Sequence, residues 1–288
     1  MAIAVIINNK AKNYAQADTY LEAFNKAGIS YVLYKTTPED LVATIQQCIH
    51  QFKIIVMGGG DGTVRTAAHY CIHKPVVLGV LPLGTLNHFA KEMNLPGSVK
   101  EIIASLKKPC TLTIDVAKVN DFIFINNSSI GFYPKFAAKR DQYNKIYNKW
   151  LSYIPAFIES LKRYKSFPLT IKSKNMNLSL YTSFVMVSNN VYSYEFPATV
   201  KRESFQKALL GLYYFKQSKI QLFKIIKNLL DNKNIFEINQ SKYPIEIHFK
   251  KEKEITISLD GETIKVKTPL YYQTLPLSLN ILTNSSCE

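Results

Sequence analysis

Apolar positions in the first 110 or so residues follow two alternating rhythms. Short β-rich runs, AIAVIIN, SYVLYKT, KIIVMG and VVLGVLP, are each followed by a stretch with helical spacing: NYAQADTYLEAFNKAG, TPEDLVATIQQCIH, TVRTAAHY and TLNHFAKEM. Apolar residues three and four apart bury one stripe of a helix, whereas a short continuous apolar run suits a strand covered on both faces. The first helical stretch stops at Gly28. The second opens with Thr37 as N-cap and Pro38 at the first helical position, where a missing N–H costs nothing. Four such alternations predict a largely parallel sheet with helices on both faces.

From about Thr111 the rhythm changes. TLTIDVAKV, DFIFINNSS, LSLYTSFVMVS, LLGLYYFK, YPIEIHFK, EITISLD, TIKVKT and LSLNIL are alternating or β-branched runs separated by turn residues, which predicts an antiparallel sandwich. Helical insertions are expected at 140–165 and 219–230. The expected division is an α/β domain over residues 1–120 and a β-rich domain with helical insertions over 121–288.

Two turns in the first half carry candidate chemistry. The stretch MGGGDGTVRTA puts Gly58, Gly59, Gly60 and Gly62 where a buried-type strand ends, with Asp61 and Thr63 opening the next helix. Glycine lets the backbone approach a ligand closely and tolerates positive φ. A helix N-terminus at the carboxyl end of a parallel strand presents unpaired N–H groups to an anion. The run is neither a Walker A loop, lacking G-K-[ST], nor G-x-G-x-x-G. LGVLPLGTLNHFAKEMNLP repeats the logic one unit later and places Gly84, Thr85 and Asn87 at the same edge of the sheet. The competing interpretations are a plain strand-to-helix turn for the glycines and a helix cap for Asp61.

Taken in order, GGGDGT, PLGTLNHFA and LDGE at 259–262 resemble the diacylglycerol kinase catalytic-domain family, which includes bacterial lipid kinases and the sphingosine and ceramide kinases. The resemblance runs through essentially the whole chain. GGDGT by itself is shared with NAD kinases and phosphofructokinases; its pairing with PLGTxN and a late DGE is more specific. The resemblance implies a nucleotide-binding α/β domain, a β-sandwich domain and an active site in the cleft between them. It assigns Gly58, Gly59, Gly60, Asp61, Gly62 and Thr63 to the phosphates of ATP, Gly84, Thr85 and Asn87 to the nucleotide site, and Thr36, with Thr37 as the alternative, to a further contact. Asp61 would face Mg2+ directly or through water, and Glu262 would take the proton of the lipid hydroxyl. Phosphoryl transfer asks for such parts: held phosphates, a cation against the developing charge and a group that orients or deprotonates the acceptor. Asp260-Gly261 is also a common hairpin signal between EITISL and TIKVKT.

The chain departs from the family pattern at three places. NNKAKN at 8–13 stands where the family has NPxSG, leaving Lys10 and Lys12 to meet phosphates, and His88 replaces an aspartate. Leu210 replaces the aspartate of Asp-Gly-Leu-Leu, and leucine cannot ligate a hard cation. That auxiliary metal site is therefore expected to be missing, with the catalytic cation arriving on the nucleotide.

A formal charge of +15 over 288 residues calls for anionic partners. No nucleic-acid recognition motif accompanies it, so ATP and an anionic membrane surface are the expected ones. The segment FAAKRDQYNKIYNKWLSYIPAFIESLKRYKS combines basic residues with Tyr143, Tyr147, Trp150, Tyr153 and Phe157, which suits either peripheral contact with lipid or packing into the sandwich. Asn126, Asn127 and Ser129 are either substrate contacts or strand-end hydrogen bonders. Four cysteines without C-x-x-C or ligand spacing argue against a disulfide framework or a zinc site and for a reducing cytoplasm. The N-terminal apolar run is too short to span a bilayer. Five histidines without ligand spacing, and the lack of a Ser-His-Asp arrangement, leave hydrolase chemistry unsupported. The sequence thus reads as a cytoplasmic, membrane-peripheral, ATP-dependent kinase of a diacylglycerol-like lipid. The alternatives are an NAD kinase-like small-molecule kinase and a nucleotide- or lipid-binding protein with little catalysis.

Overall fold

The computed structural model describes residues 2–131, 166–195, 199–214 and 237–284. The insertions expected at 140–165 and 219–230, and the basic aromatic segment with its membrane contact, lie outside the described residues. The chain divides into two compact units: residues up to Val116 together with those from Leu275 onward, and Ala117–Thr274.

In the first unit, β1 (Ile3–Asn8), β2 (Tyr31–Thr36), β3 (Ile54–Gly59) and β4 (Val77–Pro82) form a parallel sheet in the order β2-β1-β3-β4. Register pairs Asn8 with Thr36, Ile7 with Gly58 and Gly59 with Pro82, so the carboxyl ends of the four strands finish in line. Helices α1 (Ala17–Lys26), α2 (Leu41–Gln51), α3 (Asp61–Cys71), α4 (His88–Glu92) and α5 (Val99–Lys107) connect and cover them. The α1 stripe of Ala17, Tyr20, Leu21 and Phe24 packs on Val5, Ile7, Val56 and Leu81, as its helical spacing demands. Helix α2 starts later than predicted. Asp40 occupies its N-cap position, and the Thr37 hydroxyl both receives the Asp40 amide (3.3 Å) and donates to the Asp40 carboxylate (3.0 Å), so Thr37 and Pro38 form a turn ahead of the helix. Helix α5 is an addition to the predicted set and opens on a complete capping box between Ser98 and Glu101.

Fourteen further strands follow among the described residues. They are β5 (Cys110–Val119), β6 (Phe122–Phe124), β7 (Asn127–Gly131), β8 (Phe167–Ser173), β9 (Met176–Thr182), β10 (Phe184–Asn189) and β11 (Tyr192–Glu195). After these come β12 (Thr199–Arg202), β13 (Leu210–Tyr214), β14 (Glu237–Ser241), β15 (Ile245–Phe249), β16 (Glu254–Leu259), β17 (Glu262–Lys267) and β18 (Leu270–Thr283). The second unit is antiparallel, as its alternating pattern requires. A six-stranded sheet runs β14-β13-β10-β7-β16-β17, and a second run pairs β18, β15, β8 and β9. Val185, Val187, Leu210, Leu212, Ile257 and Leu259 share one core with Ile171, Ile245, Ile247 and Tyr272. The unit boundaries fall within β5 and β18, and the end of β18 joins the first sheet, with Asn280 and Ile281 parallel to Val77 and Leu78 of β4. Cysteine use departs from expectation. Cys110 is disulfide-bonded, while Cys48 and Cys71 are free and buried, burial pushing the Cys71 thiol up to about 12. Spacing along a chain does not reveal which cysteines meet in space.

Candidate functional site

The glycine run is less of a loop than its composition predicts. Gly58 and Gly59 are the last residues of β3, Gly60 is the N-cap of α3, and Asp61, Gly62 and Thr63 form the first helical turn. Gly60 sits at φ −91° and ψ −175°, a conformation any residue adopts, and the positive-φ glycines among the described residues are Gly28, Gly131 and Gly261. Close approach, and not backbone handedness, is what requires glycine here. A Cβ on Gly59 would lie 2.5 Å from that of Thr63. One on Gly84 would lie 2.4 Å from the Gly60 Cα and 2.6 Å from Asn87 Oδ1. The two turns therefore touch backbone to backbone at Gly60 and Gly84.

Side chains lock this contact from several directions. Asn87, left-handed at φ 50°, accepts the Gly84 amide (3.0 Å) and donates to the carbonyls of Pro82 (3.0 Å) and Gly84 (3.1 Å). Asn13 donates its side-chain amide to the Gly84 carbonyl (2.9 Å) and its backbone N–H to that of Leu83 (3.0 Å). The Asp61 carboxylate accepts the amides of His88 (3.1 Å) and Phe89 (3.2 Å). It thus caps α4 across the site, a different helix from the one it begins. Asn8 Nδ2 donates to Thr63 Oγ1 (3.1 Å), which leaves that hydroxyl its own proton to donate.

Thr36 ends β2 beside Asn8 and is 6% exposed, and its buried hydroxyl has no hydrogen-bond partner. Such a group costs free energy unless something meets it. Thr37, by contrast, has its hydroxyl committed to Asp40. Thr85 is exposed. The α3 amides of Asp61, Gly62 and Thr63 have no acceptor within the helix, and the macrodipole adds partial positive charge there. The carboxyl ends of the strands, the α3 N-terminus and the Thr36 residue that ends β2 thus lie along one edge of the sheet, where a helix N-terminus is suited to an anion. Both oxygens of Asp61 already take one amide each and keep lone pairs. Among the described residues no three His, Cys, Asp or Glu side chains gather to hold a metal. Asp61 could offer a divalent cation a carboxylate lone pair, and the remaining ligands would have to come from water or a bound ligand.

Glu262 belongs to the second unit and is exposed at the start of β17. It pairs with Leu259 across a two-residue turn whose residues, Asp260 (φ 49°) and Gly261 (φ 94°), are both left-handed, as a type I′ hairpin requires. Asp260 also ties the turn to a distant part of the chain, because its carboxylate accepts the amides of Ile125 (2.9 Å), Asn126 (2.8 Å) and Asn127 (3.0 Å). Asn126 in turn accepts from Arg202, and Ser129 is buried within β7. All the other expected site residues belong to the first unit. The bridging roles of Asn8 and Asn13 are signalled only by a polar run at a strand end, and a single arginine in a basic chain gives no signal at all for Arg202.

Residues 2–119 match the family model described as diacylglycerol kinase catalytic domain. The chain is 25% identical over 259 residues to the uncharacterized protein sll0036 of Synechocystis, a match covering 84% of this chain and 59% of that one. It is 24% identical over 293 residues to a Klebsiella pneumoniae protein named "Probable lipid kinase YegS-like", covering 99% and 97% of the two. Among solved structures it is similar to a diacylglycerol kinase from Bacillus anthracis, with TM-score 0.72 over 100% of this chain and 98% of that one. At 21% identity that last likeness is one of fold.

Proposed function

We propose, from the premise that residues 2–119 belong to the diacylglycerol kinase catalytic-domain family, that this protein is an ATP-dependent lipid kinase. It transfers the γ-phosphoryl group of ATP to a hydroxyl of a diacylglycerol-like lipid, the first unit holding the nucleotide and Glu262 of the second acting on the acceptor. The observation that carries the proposal is the contact of the two turns at Gly60 and Gly84, with Thr36 and its buried, unpartnered hydroxyl ending β2 at the same edge of the sheet. A triphosphate satisfies that hydroxyl while its oxygens accept the first-turn amides of α3 and the proton of Thr63. Mg2+, when bound with the nucleotide, neutralises charge that builds on the transferring group. Asp61 keeps the two turns in register through α4 and faces the cation. Glu262 takes the proton from the attacking hydroxyl.

A net charge of +15 favours work at an anionic surface, and among the described residues no helix is long and apolar enough to cross a membrane. Peripheral attachment to the cytoplasmic face suits both facts. His88, in the place of the family's aspartate, favours a second reading in which nucleotide is bound with little turnover.

The test is transfer of labelled γ-phosphate from ATP to a panel of diacylglycerol, sphingoid and other hydroxyl lipids, with Asp61→Ala as the comparison. A lipid product lost in the variant supports the kinase. Product on NAD without lipid, or ATP binding with turnover equal to that of Asp61→Ala, would replace it with one of the two alternatives.

A further inference from the structure

Glu262 lies at the tip of an edge hairpin. Among the described residues β17 is the last strand of its sheet, with β16 alone beside it, and such tips open readily unless something ties them down. The tie here is Asp260, two residues away, whose carboxylate holds the amides of Ile125, Asn126 and Asn127 while its own amide donates to the Asn127 carbonyl (2.9 Å). The 125–127 segment is itself held from behind. Arg202, 2% exposed, donates from Nη1 to the carbonyls of Ile125 (2.6 Å) and Asn189 (3.0 Å) and from Nη2 to Asn126 Oδ1 (2.8 Å). Its guanidinium carbon lies 4.3 Å from the ring centre of Phe205 and 5.5 Å from that of Tyr192. Asn189 adds a side-chain bond to the Ile125 carbonyl (3.1 Å) and a backbone bond to that of Asn126 (2.9 Å). The Ile125 and Asn126 carbonyls thus face Arg202 and Asn189, while the segment's three amides and the Asn127 carbonyl face Asp260.

Burying a guanidinium is unfavourable unless each donor is met, and apolar side chains of the same volume fill a core at lower cost. A buried arginine at this place calls for a reason beyond packing. We propose that Arg202 is a positioning residue for Glu262. It fixes the 125–127 segment, the segment's amides seat Asp260, and Asp260 sets the position of the carboxylate two residues later. A planar fork that reaches two carbonyls and a side-chain amide at once has no equivalent in lysine, a point charge on a flexible stem. The inference rests on the assignment of Glu262 as the base.

A double-mutant cycle tests it, because a residue that acts only through Glu262 has nothing left to lose once that carboxylate is gone. The four proteins are wild type, Arg202→Lys, Glu262→Gln and the double variant, assayed for lipid phosphorylation and for unfolding temperature. Arg202→Lys is expected to lower kcat by about tenfold to a hundredfold, the scale of a displacement of roughly 1 Å, with KM for ATP unchanged. In the Glu262→Gln background it is expected to add no further loss. Asn126→Ala, which removes one acceptor of the fork and leaves the arginine in place, should repeat the pattern more weakly and carries the test if Arg202→Lys does not fold. Losses that multiply, or a wild-type kcat in the Arg202 and Asn126 variants, would overturn the proposal. A wild-type kcat in Glu262→Gln alone is a different result: it removes the assignment of the base, and this inference with it.

Discussion

Thr36 and Gly84 show how one residue can separate folding from binding. The Thr36 hydroxyl is buried with no partner, so Thr36→Val removes a polar group that destabilises the free protein. The expected result is stability unchanged or raised by about 1 kcal/mol, with ATP affinity lowered roughly tenfold for the loss of one hydrogen bond to a charged ligand. Thermal unfolding with and without ATP reads both, and equal ATP affinity in the two proteins would detach Thr36 from the nucleotide. Gly84→Ala behaves oppositely. Its new methyl would meet the Gly60 Cα at 2.4 Å, and neither backbone can yield cheaply, so a loss of about 1–3 kcal/mol by urea denaturation is expected. The sequence marks both positions, but for Gly60 and Gly84 the reason it suggests is only partly right. Glycine runs signal both positive φ and close approach, and composition cannot separate the two. Only the folded backbone shows that approach decides here.

At the scale of elements, two short helices depend on carboxylates at their N-termini. Asp61 caps α4 from another part of the chain, so Asp61→Ala should cost about 1 kcal/mol of stability, as a lost cap does, while phosphoryl transfer falls by orders of magnitude. A stability loss with activity preserved would make Asp61 a cap and nothing more. In α5 the amides of Ser98 and Gly97 hold the Glu101 carboxyl below its usual 4.5. A carboxyl whose folded pKa is depressed stabilises the fold above its unfolded pKa and loses that contribution as pH falls through the folded value. Glu101→Gln should therefore be less stable than wild type at neutral pH, with the gap closing below about 4.5, and unfolding curves across that range would show it. The S-x-x-E signal of α5 and the Asn87 start of α4 are both present in the sequence. The first is a local box, legible without a structure. The second conceals a partner twenty-seven residues away in the chain, which no local pattern encodes.

For the whole molecule, the change of rhythm near residue 111 is enough to predict a parallel α/β sheet followed by antiparallel strands. Periodicity tells which face of a strand is buried, not which strand lies beside it. For that reason the pairing of Asn280 and Ile281 with β4 is not legible in LSLNIL, and strands such as β8 and β14, with weak or polar patterns, escape notice. The same limit applies to function. The touching turns leave a trace in glycine and threonine, whereas the tie of Asp260 to the 125–127 segment has meaning only once the chain is folded. The claim that joins both units is that one protein moves a phosphoryl group from ATP to a lipid alcohol. Its most direct test offers ATP, NAD and a total membrane lipid extract together and identifies every phosphorylated product by mass spectrometry. The expected product is a phosphorylated diacylglycerol-type lipid that disappears with Glu262→Gln; phosphorylated NAD alone, or no phosphorylated product from the wild-type protein, would contradict the claim.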